Sequence, residues 1–176
     1  MKIRTTTRED ADAVRELYLS AFAADERDLV AQLAVELILE ETAAAVLSLV
    51  AEDDGIVVGH VAFSPVTTSG TRQHLGHILA PLAVHPDHQQ QGIGSQLVKS
   101  GIGRLSEHGP GILLVYGDPK FYGRFGFRVD AARWFTPPFE LRYPFGWQGI
   151  ALRGQHARTS TVKISCVEPL SHPALW

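Results

Sequence analysis

The chain has 176 residues, 45% of them apolar, and a formal net charge of −3. That length supports one domain with a sizeable core, and that charge leaves no broad basic footprint for nucleic acid. The lone cysteine, Cys166, excludes an intrachain disulfide and a multi-cysteine metal site. Charged residues replace the apolar stretch of a secretory signal, and no run approaches the roughly 18 apolar residues of a membrane span, so a cytoplasmic, membrane-independent protein is expected.

The stretch KIRTT reads as a short strand. Thr7 followed three residues later by Asp10 resembles a capping box, with Asp replacing the usual Glu or Gln, and starts a helix whose apolar positions are Ala11, Val14, Leu17, Tyr18 and Ala21. A second helical pattern, RDLVAQLAVELILEE, carries Leu29, Leu33, Leu37 and Ile38 on a face read as core rather than as a partner-binding surface. The segment AAVLSLVAEDDGIVVGHVAFSPVTT gives two strands joined at a tight Asp-Gly turn. A further strand, GHILAPLAV, contains Pro81, which cannot donate to a ladder and so marks an edge, a bulge or a place where the strand parts from its neighbour. A helix after residue 92 carries Gly101 and Gly103, each costing roughly 1 kcal/mol relative to alanine, which points to close packing or a frayed end. The strand GILLVYG follows. From about Asp130 the chain turns rich in proline, glycine and aromatics, and TVKISCVEPL reads as one last strand. This tail either closes the core or forms the wall of a substrate pocket.

Between the Pro81 strand and its helix stands VHPDHQQQGIGS. A strand feeding into a helix leaves the first helical N–H groups unpaired beside the positive end of the macrodipole, a ready anion site. With Gly92 and Gly94 free of a Cβ, the amides from Gln90 to Ser95 can wrap a phosphate. A dinucleotide fingerprint would need a third glycine where Leu97 stands, and the phosphate loop of nucleotide hydrolases needs a Gly-Lys-Ser/Thr that is absent. A plain tight connection is the alternative.

PLAVHPDHQQQGIGSQLV resembles motif A of the GCN5-related N-acetyltransferases, with Gln89, Gly92 and Gly94 filling its Gln/Arg-x-x-Gly-x-Gly/Ala pattern. Downstream, GDPKFYGRFGF is similar to the family's fifth strand and its Tyr-x-x-x-Gly-Phe, filled by Tyr122, Gly126 and Phe127. Together the two stretches are similar to the YhbS-like branch of that family.

The resemblance implies an α/β (α+β type) fold: a mixed, mostly antiparallel central sheet splayed between its fourth and fifth strands and flanked by helices. It would form one domain over residues 1–176, with a core of 1–130 and C-terminal strands and loops over 131–176. The implied activity is direct transfer of the acetyl group of acetyl-CoA to a primary amine of a small molecule or peptide, in a ternary complex, without metal or nucleic acid. Homodimers are frequent in such a family. The implied coenzyme contacts are Leu82, Ala83 and Val84 on the strand and Gln89, Gln90, Gln91, Gly92, Ile93, Gly94 and Ser95 in the turn. Tyr122 would protonate the departing thiolate. The rival readings are a transferase of another acyl-CoA and a CoA-binding regulatory module without catalysis.

Many family members carry a basic carboxylate on the fourth strand, where this chain has Leu79 and Ala80. His60, His77 and Asp118 are the remaining candidates for base or substrate contact, with Ser64 as a further substrate contact. Each has a plain alternative: Asp118 before Pro119 caps a short helix, and His60 and Ser64 are ordinary strand residues. The spacings His74/His77 and His85/His88 lie on no predicted helix and read as loop residues rather than metal ligands.

Overall fold

In the computed structural model, residues 1–39, 46–109, 111–152 and 158–176 are described. Strand β1 (Lys2–Thr5) leads through a 3-10 turn at Arg8–Asp10 into α1 (Ala11–Ala21), and α2 (Arg27–Leu39) follows. The Asp10 carboxylate accepts from the Thr7 N–H at 2.7 Å and is gripped by both terminal nitrogens of Arg4 at 2.8 Å. Arg4 also donates from Nε to Glu52 at 2.8 Å. The Arg4 guanidinium holds Asp10 well below the usual carboxylate range, at about 2. Glu40 and Glu41, expected to end the second helix, lie outside the described residues, as do Ala44 and Ala45 at the expected start of the next strand.

Strands β2 (Leu47–Asp53) and β3 (Ile56–Thr68) form the expected hairpin, in which Asp54 and Gly55 both take positive φ, +47° and +81°. After β4 (His74–Val84) come α3 (Ile93–Glu107), β5 (Ile112–Tyr116) and a four-residue helix, α4 (Pro119–Tyr122). Of the late strands and loops expected in the tail the sequence reading located one strand; the structure has α5 (Val129–Ala132), β6 (Phe135–Thr136), β7 (Trp147–Ala151) and β8 (Val162–Ser165) there. The last of these stops at Ser165, and Glu168–Leu170 is a 3-10 turn.

Among the described residues these eight strands make one mixed, mostly antiparallel sheet flanked by helices, as expected, in the order β1-β2-β3-β4-β5-β7, with β8 on β3 and β6 on β8. The β4–β5 pairing is parallel and runs from Gly76↔Ile112 to Leu79↔Val115, two residues short of Pro81. No helix among the described residues is long and apolar enough to cross a membrane.

The described residues group into two compact units. In the first, Met1–Phe63 with Ala80–Gly101, α1 and α2 bury Val14, Leu17, Tyr18, Ala31 and Ala34 with Val50 and Ala83, so the second helix presents a core face. The two-residue period of β3 sorts its side chains. Gly59 and Phe63 face α3, where a Cβ on Gly59 would stand 3.0 Å from both Ile93 Cγ2 and Leu97 Cδ1, and one on Gly101 would enter the Phe63 ring. His60 faces Tyr18 of α1. The close-packing reading therefore holds for Gly101, while Gly103 has open space around it.

In the second unit, Ser64–Leu79 with Ile102–Trp176, β5 is buried from Ile112 to Val115 and β7 pairs antiparallel with it. A Cβ on Gly149 would stand 3.2 Å from both Ile112 Cδ1 and Leu114 Cδ2, so the two strands pack closely there. Cys166 is half-buried, and burial pushes its thiol up to about 12.

Candidate active site

In the first unit β4 ends at Leu82, Ala83 and Val84 with alternate exposure: Ala83 is buried in the core, and Leu82 and Val84 are half-exposed. The His85 N–H then donates to the Val58 carbonyl at 2.9 Å. A 3-10 turn at Pro86–His88 follows, with Pro at its first position and the His85 imidazole accepting from the Asp87 N–H at 3.3 Å. Two backbone reversals finish the loop, Gln90 at φ +61° and Gly92 at φ +83°.

The glutamine run braces this loop. Gln89 Nε2 donates to the Val84 carbonyl at 3.1 Å and Gln91 Nε2 to the Asp87 carbonyl at 3.3 Å. Gln96 is the first helical residue here whose N–H finds a carbonyl, that of Gly92 at 3.0 Å. From Gln90 to Ser95 no N–H has a backbone acceptor among the described residues. Ile93, Leu97 and Val98 are buried and fix the helix start against β3. The result is a row of free amides at the positive end of a 15-residue helix, on a loop already held in shape.

In the second unit Asp118 caps α4, its carboxylate accepting from the Lys120 N–H at 2.9 Å, with Pro119 at the first helical position. The capping alternative is thus what its side chain does here. Tyr122 closes the helix, with ring centroids 4.9 Å from Phe121 and 5.7 Å from Phe127. Gly126, at φ +91°, reverses the chain so that Phe127 is buried. Burial raises the Tyr122 phenol well above its ordinary value, so it stays a hydrogen-bond donor at every working pH.

The other candidates lie elsewhere. His60 is fully buried in the first unit, bonded through Nδ1 to Tyr18 Oη at 2.9 Å and through Nε2 to Ser48 Oγ at 2.8 Å. Burial lowers it to about 3, so it is a neutral core residue. Ser64 is fully buried in the second unit, and its Oγ has no partner among the described residues. His77, half-buried and edge-on to His74 at 5.3 Å, is lowered to about 4, by burial first and then by His74 and His108. No hydrogen bond or ring contact joins Ser64 or His77 to Tyr122 among the described residues.

Three residues escaped the sequence reading: Gly59, which seats α3; Gly117, which lies against the Tyr122 ring; and Gln148, buried with its amide on the Gly117 carbonyl at 3.2 Å. The glycines stand in quoted strand segments, but only the contact across the fold reveals their use. The C-terminal segment lines an open cleft of about 560 Å³ whose walls include Phe135, Pro138, Phe139, Trp147 and Lys163. Among the described residues no group of three His, Cys, Asp or Glu side chains is arranged to hold a metal ion.

A family described as acetyltransferase (GNAT) domain matches residues 44–129. YjhQ of Escherichia coli strain K12, an uncharacterized N-acetyltransferase, is 36% identical over 169 residues, covering 93% of this chain and 91% of that protein. The crystal structure of the GNAT family N-acetyltransferase YhbS from Escherichia coli in complex with CoA superposes with a TM-score of 0.83 at 31% identity, covering 97% of this chain and 92% of that one. A GNAT family acetyltransferase from Brucella melitensis in complex with acetyl-CoA gives a TM-score of 0.73 at 27% identity, covering 96% and 97%.

Proposed function

The chain belongs to the GNAT acetyltransferase family, and on that premise we propose that it transfers the acetyl group of acetyl-CoA directly to a primary amine held with it in a ternary complex. The observation that carries the reading is the row of amides from Gln90 to Ser95 without backbone acceptors, on a loop where Gly92 carries no Cβ and nothing stands within 4 Å of its place. Such a cradle suits a pyrophosphate, and the CoA and acetyl-CoA complexes of the similar structures support that assignment.

Acetyl-CoA supplies the acyl group as a thioester. This chain's part is to hold and polarise it. Backbone groups of Leu82, Ala83 and Val84 lie along the pantetheine arm and thioester, and those of Gln89, Gln90, Gln91, Gly92, Ile93, Gly94 and Ser95 take the phosphates. The Val84 carbonyl already accepts from Gln89 Nε2, which ties the strand end to the loop. Tyr122 donates its hydroxyl proton toward the sulfur as the C–S bond breaks. With its phenol raised, full transfer to a thiolate of pKa about 8.5 is uphill, and the proton is best used as a strong hydrogen bond. The amine loses its proton to water, because His60 has both nitrogens bonded, Asp118 is engaged as a cap, and His77, lowered to about 4 by burial, is too weak a base for an ammonium. The acceptor is a small-molecule or peptide amine.

The test is calorimetric titration of acetyl-CoA into the native chain and into a Gly92→Asp/Gly94→Asp variant shown by circular dichroism to be folded. Binding to the native chain that is lost in the variant is expected. A native chain that does not bind acetyl-CoA would leave the glycine turn a mere connector and sink the proposal.

A further inference from the structure

We infer that Gly117 and Gln148 form the seat that fixes the Tyr122 hydroxyl, which makes both positioning residues for the proton donor; this rests on the role proposed for Tyr122. A Cβ at position 117 would stand 2.5 Å from Tyr122 Cε2 and 3.0 Å from Cδ2, so the ring lies directly on the Gly117 backbone. Phe121 and Phe127 meet the ring edge-to-face, at 4.9 and 5.7 Å. Ordinary carbon contacts begin near 3.4 Å, so even an alanine at 117 must push the ring by about 1 Å, a displacement that costs on the order of a hundredfold in a positioned catalytic group.

The Gly117 backbone is itself held from the C-terminal segment. Its N–H donates to the Gly146 carbonyl at 3.0 Å, and its own carbonyl accepts from Gln148 Nε2 at 3.2 Å. The same Nε2 donates to the Gly146 carbonyl at 3.3 Å, and Gln148 is 1% exposed. Gly146 must be small as well, since a Cβ there would stand 3.1 Å from the Gly117 carbonyl oxygen. A buried amide that joins two carbonyls of adjoining segments fixes their spacing, because breaking it takes the amide bond from the Gly117 carbonyl and leaves the Gly146 carbonyl only the Gly117 N–H. The tail thus reaches the proton donor through this seat.

The probes are CoA and desulfo-CoA, titrated calorimetrically against the full chain between about pH 7 and 9, where a free thiol ionises. If the Tyr122 hydroxyl meets the sulfur, it stabilises the thiolate and lowers the bound thiol's pKa. CoA should then gain on desulfo-CoA as pH rises, by about tenfold for each unit of lowering. The gain is expected to vanish in Tyr122→Phe and to vanish or shrink severalfold in Gly117→Ala and in Gln148→Met, while desulfo-CoA binds all four proteins within about twofold. A fold defect would weaken both probes alike. Should Gly117→Ala fail to fold, Gln148→Met carries the test. Folded seat variants that keep the native gain while Tyr122→Phe loses it would overturn the seat and spare the role of Tyr122. A native chain with no gain would overturn both, and one that binds neither probe would instead remove the coenzyme reading beneath them.

Discussion

Gly101 and Gly103 lie two residues apart in α3 with opposite surroundings. A β-carbon at 101 would fall within the fully buried Phe63 ring, whereas at 103 it would meet nothing within 4 Å. In a helix interior alanine is better than glycine by about 1 kcal/mol, and Gly103→Ala should raise stability by about that much. At 101 the same gain is opposed by an overpacking cost of about 1–3 kcal/mol. The upper part of that range applies, because Phe63 has no exposed side toward which to yield, so Gly101→Ala should lose about 1–2 kcal/mol net. Equilibrium urea unfolding measures both, provided the m-values stay equal. Phe63→Leu removes the obstructing ring, so the double variant Phe63→Leu/Gly101→Ala should lose less than the sum of its singles by about 1 kcal/mol or more. A Gly101→Ala protein as stabilised as Gly103→Ala, or strict additivity with Phe63→Leu, would refute the packing argument.

Asp10 is held at about 2 by Arg4, below its ordinary 3.8, so its contribution is complete above about pH 4 and is lost as pH falls toward 2. Asp10→Asn should therefore lower neutral stability by about 2 kcal/mol and flatten the acid limb of the stability curve over that window. His60 is lowered to about 3 by burial, so below about pH 6.5 the unfolded chain takes up a proton that the folded chain refuses. Stability should fall as pH drops from about 6.5 toward 3, and His60→Gln should remove that slope in denaturant titrations; an unchanged slope would place it on another group. Gly59→Ala puts a carbon 3.0 Å from two methyl groups of α3 and should cost about 1–2 kcal/mol while weakening acetyl-CoA binding, since the helix start moves with the contact.

The legible parts of the chain were those in which local chemistry and fold agree. Asp54-Gly55 allows the positive φ of a two-residue hairpin, and the turn formed there. Residues 93–107 form the helix expected after the glycine turn, while the other backbone reversal falls on Gln90, for which glutamine gives no signal. The tail resisted for the same physical reason. Strand β7, WQGIA, has Gly149 at its centre and a buried amide at Gln148, so neither period-two alternation nor an apolar run marks it. Its pairing with β5 comes from contacts across more than 30 residues of sequence. His60 read as a candidate because a histidine on a strand gives no sign of its partners; Tyr18 and Ser48, which occupy its two nitrogens, are 42 and 12 residues away.

The protonated state of Cys166 bears on how turnover can be followed. With its thiol pushed up to about 12, only about one molecule in ten thousand carries a thiolate at pH 8, and the thiolate is the form that attacks a disulfide dye. A colorimetric thiol assay on this enzyme would therefore count released coenzyme against a dark protein background, with no blocking of the enzyme beforehand.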